Sequence, residues 1–278
     1  MNQPKFRTDG LSVGAGLLIS VLALLPRHGE AAPIPVSFAE GTTHGYLVVQ
    51  DVAGVNLAHG ELLQTVRGSL VESRLIFRFK DGSLHDERTT FSQKRIFTLH
   101  AYRLIQRGPS FAGDLDVTLK RKTGRYLVRS RAGPGQPEVV TAGRMELPPD
   151  AYNGLIGTLL RNLKPGKSES VRFVAFTPEP KLIDLELDPE AEEPVYVGEL
   201  LKTATRWALK PQINGVARFF GKTFGRLPDE FRYRVWILHD EVPAFARFEG
   251  PLHLMGPIRR VQLLSPRAAE SRPPLVAR

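Results

Sequence analysis

The tetrapeptide Leu-His-Asp-Glu occurs twice, at Leu84–Glu87 and at Leu238–Glu241. An imidazole beside two carboxylates can ligate a divalent metal or move a proton. One site built from both copies would need the same local geometry at each, and the flanking residues predict otherwise. The first copy lies on the return strand of a hairpin that turns at Asp81-Gly82. Alternation there sends His85, Glu87 and Thr89 to one face and Leu84, Asp86 and Arg88 to the other. The second copy falls in a turn between two alternating segments, just before Pro243. His85 with Glu87 is therefore the better acid–base pair.

Other chemistry is sparse. His44, His59, His100 and His253 have no ligand-like spacing, and no HExxH, P-loop or GxSxG pattern occurs. Asp184, Glu186 and Asp188 form an acidic row, but side chains at alternate strand positions stand ~7 Å apart, too far to converge on Ca²⁺. A solvated or edge-protecting face is the expectation for them. Cysteine is absent, which excludes disulfides, thiolate zinc sites and a Cys nucleophile. No cofactor and no metal are expected. A hydrolytic triad assembled only in three dimensions stays open.

The elements that must hold these residues read as strands. "HGYLVVQDV", "GELLQTVRGSL", "SRLIFRFKDGSLHDERTTF", "KRIFTLHAYRLIQRG" and "DLDVTLKRKTGRYLVRS" alternate, with turns at Asp81-Gly82 and Lys122-Thr123-Gly124. Successive hairpins of this kind predict an antiparallel meander. "AYNGLIGTLLRNL" changes period: Asp150 is placed as an N-cap, Pro165-Gly166 as a stop, and Tyr152, Leu155, Ile156, Leu159 and Leu163 on one helical face. Strands resume with "SVRFVAFTP" and "KLIDLELDP". A second helical segment, "NGVARFFGKTFGRLPDEF", is amphipathic. Phe219, Phe220 and Phe224 lie on one side, Arg218 and Lys222 on another, and three glycines suit a flap. A last hairpin, "FRYRVWIL" to "AFARFEGPL", and the strand "IRRVQLL" complete the chain.

The N-terminus carries Lys5 and Arg7, an uncharged apolar run from Leu11 to Leu25, Pro26, and small residues at Gly29 and Ala31. This pattern predicts a secretion signal over residues 1–31, since fifteen residues fall short of the ~20 that span a bilayer. An uncleaved anchor is the alternative. A single domain over 32–265 and a loose tail over 266–278 are expected, in the periplasm or secreted. The formal charge of +9, with Lys+Arg 38 against Asp+Glu 29, favours anionic partners. Lys120-Arg121-Lys122 and Arg259-Arg260 are too short, and unaccompanied by any recognition motif, to predict nucleic-acid binding.

The closing hairpin, with Val235, Trp236, Asp240, Pro243 and Arg247, resembles the end of periplasmic proteins of the DUF3108 type. The segment led by Asp150 and ending in Leu160-Arg161 resembles their mid-chain helix. The likeness extends over residues 40–265, with the Gly/Phe-rich insert at 214–227 as a departure. The resemblance implies the lipoprotein-carrier fold: mostly β (α+β), a curved antiparallel sheet forming a half-open barrel with a helical plug. It implies an envelope role and no catalytic residues. The expected function is binding of a lipid or other amphiphile, with Tyr152, Leu155, Leu159, Phe219, Phe220 and Phe224 lining the slot and Arg218 and Lys222 meeting an anionic headgroup. Contact with a membrane surface fits the same reading. A dry core at these positions, a scaffold for an envelope protein partner, and a hydrolase are the alternatives.

Overall fold

A computed structural model describes residues 31–176, 179–212, 233–253 and 256–264. The expected signal segment, the Gly/Phe insert with Arg218, Phe219, Phe220, Lys222 and Phe224, and the tail lie outside the described residues. Among the described residues, fifteen strands follow one another: β1 Thr43–Gln50, β2 Asn56–Arg67, β3 Leu70–Phe79, β4 Leu84–Gln93, β5 Phe97–Arg107, β6 Asp114–Lys120, β7 Arg125–Arg131, β8 Val139–Arg144, β9 Ala151–Tyr152, β10 Glu169–Phe176, β11 Pro180–Val197, β12 Leu200–Pro211, β13 Tyr233–Leu238, β14 Ala244–Pro251 and β15 Ile258–Leu263. Between β9 and β10 lies the helix α1, Ile156–Leu160. No helix among the described residues is long and apolar enough to cross a membrane.

All the strands belong to one sheet, in the order β8-β7-β6-β5-β4-β3-β2-β1-β15-β14-β13-β12-β11-β10-β9. Neighbours in sequence are neighbours in space, and the first strand pairs with the last through Leu47↔Leu263, Val48↔Gln262 and Val49↔Val261. The exception is β8 and β9, which are consecutive in the chain yet form the two edges, so among the described residues the sheet is not closed. Pairing is antiparallel apart from the short parallel β9–β10 contact. The turns are the expected ones: Gly82 and Gly124 take φ of 85° and 65°, values that a β-carbon disfavours.

One core draws on strands from both ends of the order. Val71, Phe91, Leu99, Tyr102 and Val117 from β3–β6 join Val171, Leu187, Trp207 and Val235 from β10–β13. Side chains so distant in strand order meet only if the sheet bends until its inward faces converge. A second cluster, with Val49, Ala58, Phe77 and Val261, fills the middle of the sheet. A third, with Val195, Ala204, Trp236 and Leu238, lies on the outward side of β11–β13. The alternation expected along residues 96–101 is interrupted by a register shift between Thr90 and Phe91 opposite, after which Tyr102 and Leu104 take the inward positions of β5.

The expected helix is reduced to one turn. Tyr152 is in β9, Gly154 has φ of 70°, and Leu155 precedes α1 without any side-chain cap. Asp150 does not cap the helix. It is buried, with its carboxylate 3.3 Å from Arg172 Nε. A five-residue helix cannot act as the extended plug anticipated. A loop, β9 and one helical turn pack into the core instead. A β-carbon at Gly154 would run into the Thr89 hydroxyl and the Tyr102 ring, so glycine allows this segment to approach β4 and β5 closely. Of the two expectations for the acidic row, the solvated face holds, with Asp184 exposed and Glu186 and Asp188 half-buried, and edge protection does not. Strand β11 is internal, between β10 and β12, and does not guard an edge. Asp188 pairs with Lys210, and Glu186 accepts from Gln212 at 2.8 Å.

Candidate functional site

Strand β4 places its Leu-His-Asp-Glu as alternation requires. Asp86 points outward under two guanidinium groups, Arg74 at 2.7 Å and Arg88 at 3.2 Å. Burial pushes its carboxyl up, but these hydrogen bonds and charges outweigh it and hold the group down at about 2. His85 points inward between Phe77 and Phe111. Its Nδ1 accepts from Gln106 Nε2 at 3.0 Å, and the same amide nitrogen donates to Leu252 O at 2.7 Å. Burial lowers the imidazole to about 4, with Asp86 opposing, so His85 is neutral at physiological pH.

Glu87 is the third member. It faces inward, its Oε1 accepts from the Tyr102 hydroxyl at 2.6 Å, and no other hydrogen bond reaches it among the described residues. Burial raises its carboxyl above the usual carboxylate value, with Tyr102 pulling in the opposite direction. Tyr102 is itself raised well above the usual phenol range by burial and by Glu87. His85 and Glu87 share a face but each is engaged by a different neighbour. They form no acid–base dyad.

The second copy is built differently. Leu238 ends β13, buried in the outward cluster, while His239 and Asp240 are exposed in the turn. Asp240 pairs with Lys202 at 2.9 Å. His239 Nε2 contacts the Thr205 hydroxyl, and its Nδ1 lies 3.8 Å from Glu192 Oε1. Hydroxyl, imidazole and carboxylate thus occur in the order a hydrolase uses. Two features count against that use. Thr205 is only 3% exposed, so a substrate carbonyl has no approach to its hydroxyl. Glu192 is beyond hydrogen-bond reach of Nδ1 and so does not orient the ring. The described residues contain no group of three His, Cys, Asp or Glu able to hold a metal.

Of the residues assigned to a slot, the described ones are Tyr152, Leu155 and Leu159. All three are buried in the large core. The Tyr152 hydroxyl accepts from Ile34 N at 3.0 Å and donates to Phe97 O at 3.2 Å, which fixes the ring. These side chains are enclosed by protein and are not an open lining. The partly open inward surface lies elsewhere, in residues that sequence reasoning did not single out. Leu62 and Leu75 pair across β2–β3, with Glu87 opposite Leu75 on β4. Tyr233, Phe245 and Phe248 sit on β13 and β14. Each packs against a core cluster yet keeps part of its surface uncovered. Phe245 and Phe248 touch both inward clusters, so this surface lies where the two meet. Alternation in β3 could have found Leu75, whereas in β14 a register shift opposite Trp236 and Ile237 brings Phe245 and Phe248, three residues apart, to one face, which alternation would have parted.

Comparison with known proteins adds little chemistry. No family model matches the chain, and no curated protein matches it either. Among solved structures it is similar to a crystal structure of a β-barrel-like protein of a domain of unknown function, DUF1849, from Brucella abortus. The identity is 10%, with 82% of this chain and 98% of that one covered, and the TM-score is 0.38.

Proposed function

We propose that this chain is an exported, non-catalytic envelope protein that takes the apolar part of an amphiphile, a lipid or acyl chain, between its inward strand faces. The carrying observation is the set of inward apolar side chains left partly uncovered, Leu62, Leu75, Tyr233, Phe245 and Phe248, next to Glu87. An apolar concave surface with a single polar group is the usual make-up of a small-ligand site. The half-open-barrel reading and the likeness to DUF3108-type and lipoprotein-carrier proteins belong to the same proposal. One contact supports it: Arg161 Nε donates to Pro243 O at 2.6 Å, so the two segments that carry the likeness meet. The basic, apolar and small-residue order of residues 1–31 supports export, and fusion of that segment to a reporter active only outside the cytosol tests it.

The binding test uses the full chain and a fluorescent fatty acid, with native mass spectrometry for co-purified lipid. Phe248→Asp and, separately, Leu75→Gln should each weaken retention at least about tenfold, because a charge or amide replaces apolar contact. Circular dichroism should be unchanged. Binding that both folded variants retain at full strength, together with no lipid mass, would defeat the proposal.

A further inference from the structure

A second concavity lies on the outward side of the sheet, remote in function from the inward faces. It is a cleft of about 1470 Å³ between the outer surface of β1, β2, β14 and β15 and the tip of the β11–β12 hairpin. The hairpin reaches there because of its own backbone. Register shifts between Pro189 and Ala191, which bends β11, and Gly198 closes the tip with φ of 64°. Val195 and Val197 then pack with Trp236 and Ala246 in the outward cluster, which holds the wall in place.

The floor is polar in an ordered way. Arg247, Gln262 and Val48 lie side by side across β14, β15 and β1. Gln262 Nε2 reaches Gln50 Oε1 at 3.4 Å, and Gln50 Nε2 donates to Asn56 Oδ1 at 2.8 Å, making a row of amides. The rims are apolar and wet: Tyr196 is 74% and Leu200 64% exposed on one side, with Leu263 and Leu264 exposed on the other. Arg247 is an incompletely paired cation. Its guanidinium lies over the Trp236 ring at 5.2 Å, and its Nε is buried without a hydrogen-bond partner. Its nearest carboxylate, Glu249, is 3.8 Å from Nη1 and already accepts from Arg260 Nε at 2.7 Å.

We infer that this cleft binds an extended peptide segment of a partner protein, one with apolar side chains and a carboxylate that pairs with Arg247. The volume exceeds the roughly 300–1,000 Å³ of small-molecule sites. A row of side-chain amides suits the donors and acceptors of a peptide backbone, whereas an acyl chain has no use for it. A planar guanidinium short of partners matches a carboxylate in two-point fashion, and the chain's formal charge of +9 favours an acidic partner. Tyr196 and Leu200 supply apolar contact at the rim.

Panning a displayed library of random dodecapeptides against the full chain tests this. Enriched sequences should combine apolar residues with Asp or Glu. Synthetic copies, followed by fluorescence polarisation, should bind Arg247→Gln and Leu200→Glu at least about tenfold more weakly than the parent, an effect of the size seen for truncated interface anchors. Both variants should keep the parent's circular dichroism and its response to the fluorescent fatty acid, which separates this cleft from the inward site. Absence of enrichment, or peptides that bind both variants at parental strength, overturns the inference. Phosphatidylglycerol vesicles form the second arm: vesicle binding that depends on Arg247 without peptide binding also overturns it, in favour of a membrane surface.

Discussion

Glu87 is an acid placed where its charge is unwelcome, and the pH dependence of stability should show it. Its folded-state carboxyl is raised by burial above the ordinary value of 4.5. A raised acid favours the folded state only while protonated. Its contribution is present below the unfolded value and is lost as pH rises through the folded one. Glu87→Gln should therefore raise the urea midpoint at neutral pH, and the gain should vanish below about pH 4.5. A variant less stable than the parent at pH 7 would show that the ionised carboxylate is required. The neighbours titrate in the opposite sense. His85 is lowered by burial to about 4 from 6.5, so its contribution is present at high pH and lost as pH falls across that interval. Asp86, held at about 2 by Arg74 and Arg88, loses its contribution as pH falls from 3.8 towards 2. The acid limb of the parent should thus survive in Glu87→Gln. The same three letters act as core, ion pair and strained acid because their environments differ.

Two straps decide how the sheet is held, one a side chain in the 3-10 turn Arg121–Thr123 and the other an irregular segment. Arg121 follows β6 and donates to Leu99 O and, at 2.6, 3.0 and 2.9 Å, to Leu147 O, Pro148 O and Ala151 O. One guanidinium thereby pins the β8–β9 connection to β5. Arg121→Ala removes four charge-assisted bonds at once and should cost about 3 kcal/mol or more, a fall in Tm of roughly 6–12 °C. A loss under about 1 kcal/mol would mean that water replaces the guanidinium without penalty. The second strap is the segment after residue 31. Ala32 N donates to Ser170 O, Val36 N to Arg95 O, and Ser37 N and Phe38 N to Asn162 Oδ1. Glu40 ends it in a buried pair with Arg161 at 2.8 Å, with Gln64 and Gln93 completing its hydrogen bonds. The strap ties β10, the start of β5 and the end of α1 together. At this scale the hairpins were legible in the sequence because a turn such as Asp81-Gly82 acts over four residues. The straps were not, since a lone Arg121 or Glu40 has no local pattern to announce its partners.

For the molecule as a whole, the junction between β1 and β15 matters most. It joins the meander β1–β8 to the strands β10–β15 and leaves β8 and β9 as the edges. A chain ending after residue 257 loses β15 and bares the ladders of both β1 and β14. Exposed edges of that length template association, so this form should elute as aggregates on size-exclusion chromatography. A chain ending after residue 264 keeps the junction and should elute like the parent. Monomeric behaviour of the shorter form would show that the junction is dispensable. The bend of the sheet also separates two surfaces, the inward one proposed above to take an apolar guest and the outward one a partner segment.

From the sequence alone came the strand-rich class, the order of hairpins, the faces of His85, Asp86 and Glu87, and the different settings of the two Leu-His-Asp-Glu copies. All of these depend on side-chain alternation and on turn residues, which act over a few positions. Tertiary structure decided the rest. It shortened the Asp150-led helix to one turn by drawing Asp150 to Arg172 and Gly154 against Thr89. It buried Tyr152, Leu155 and Leu159 and left Leu75 and Phe248 partly open. It also paired Leu47 with Leu263 and set Arg247 beneath an overhanging hairpin. Those outcomes depend on contacts between residues far apart in the chain, whose energies arise only once the sheet has bent.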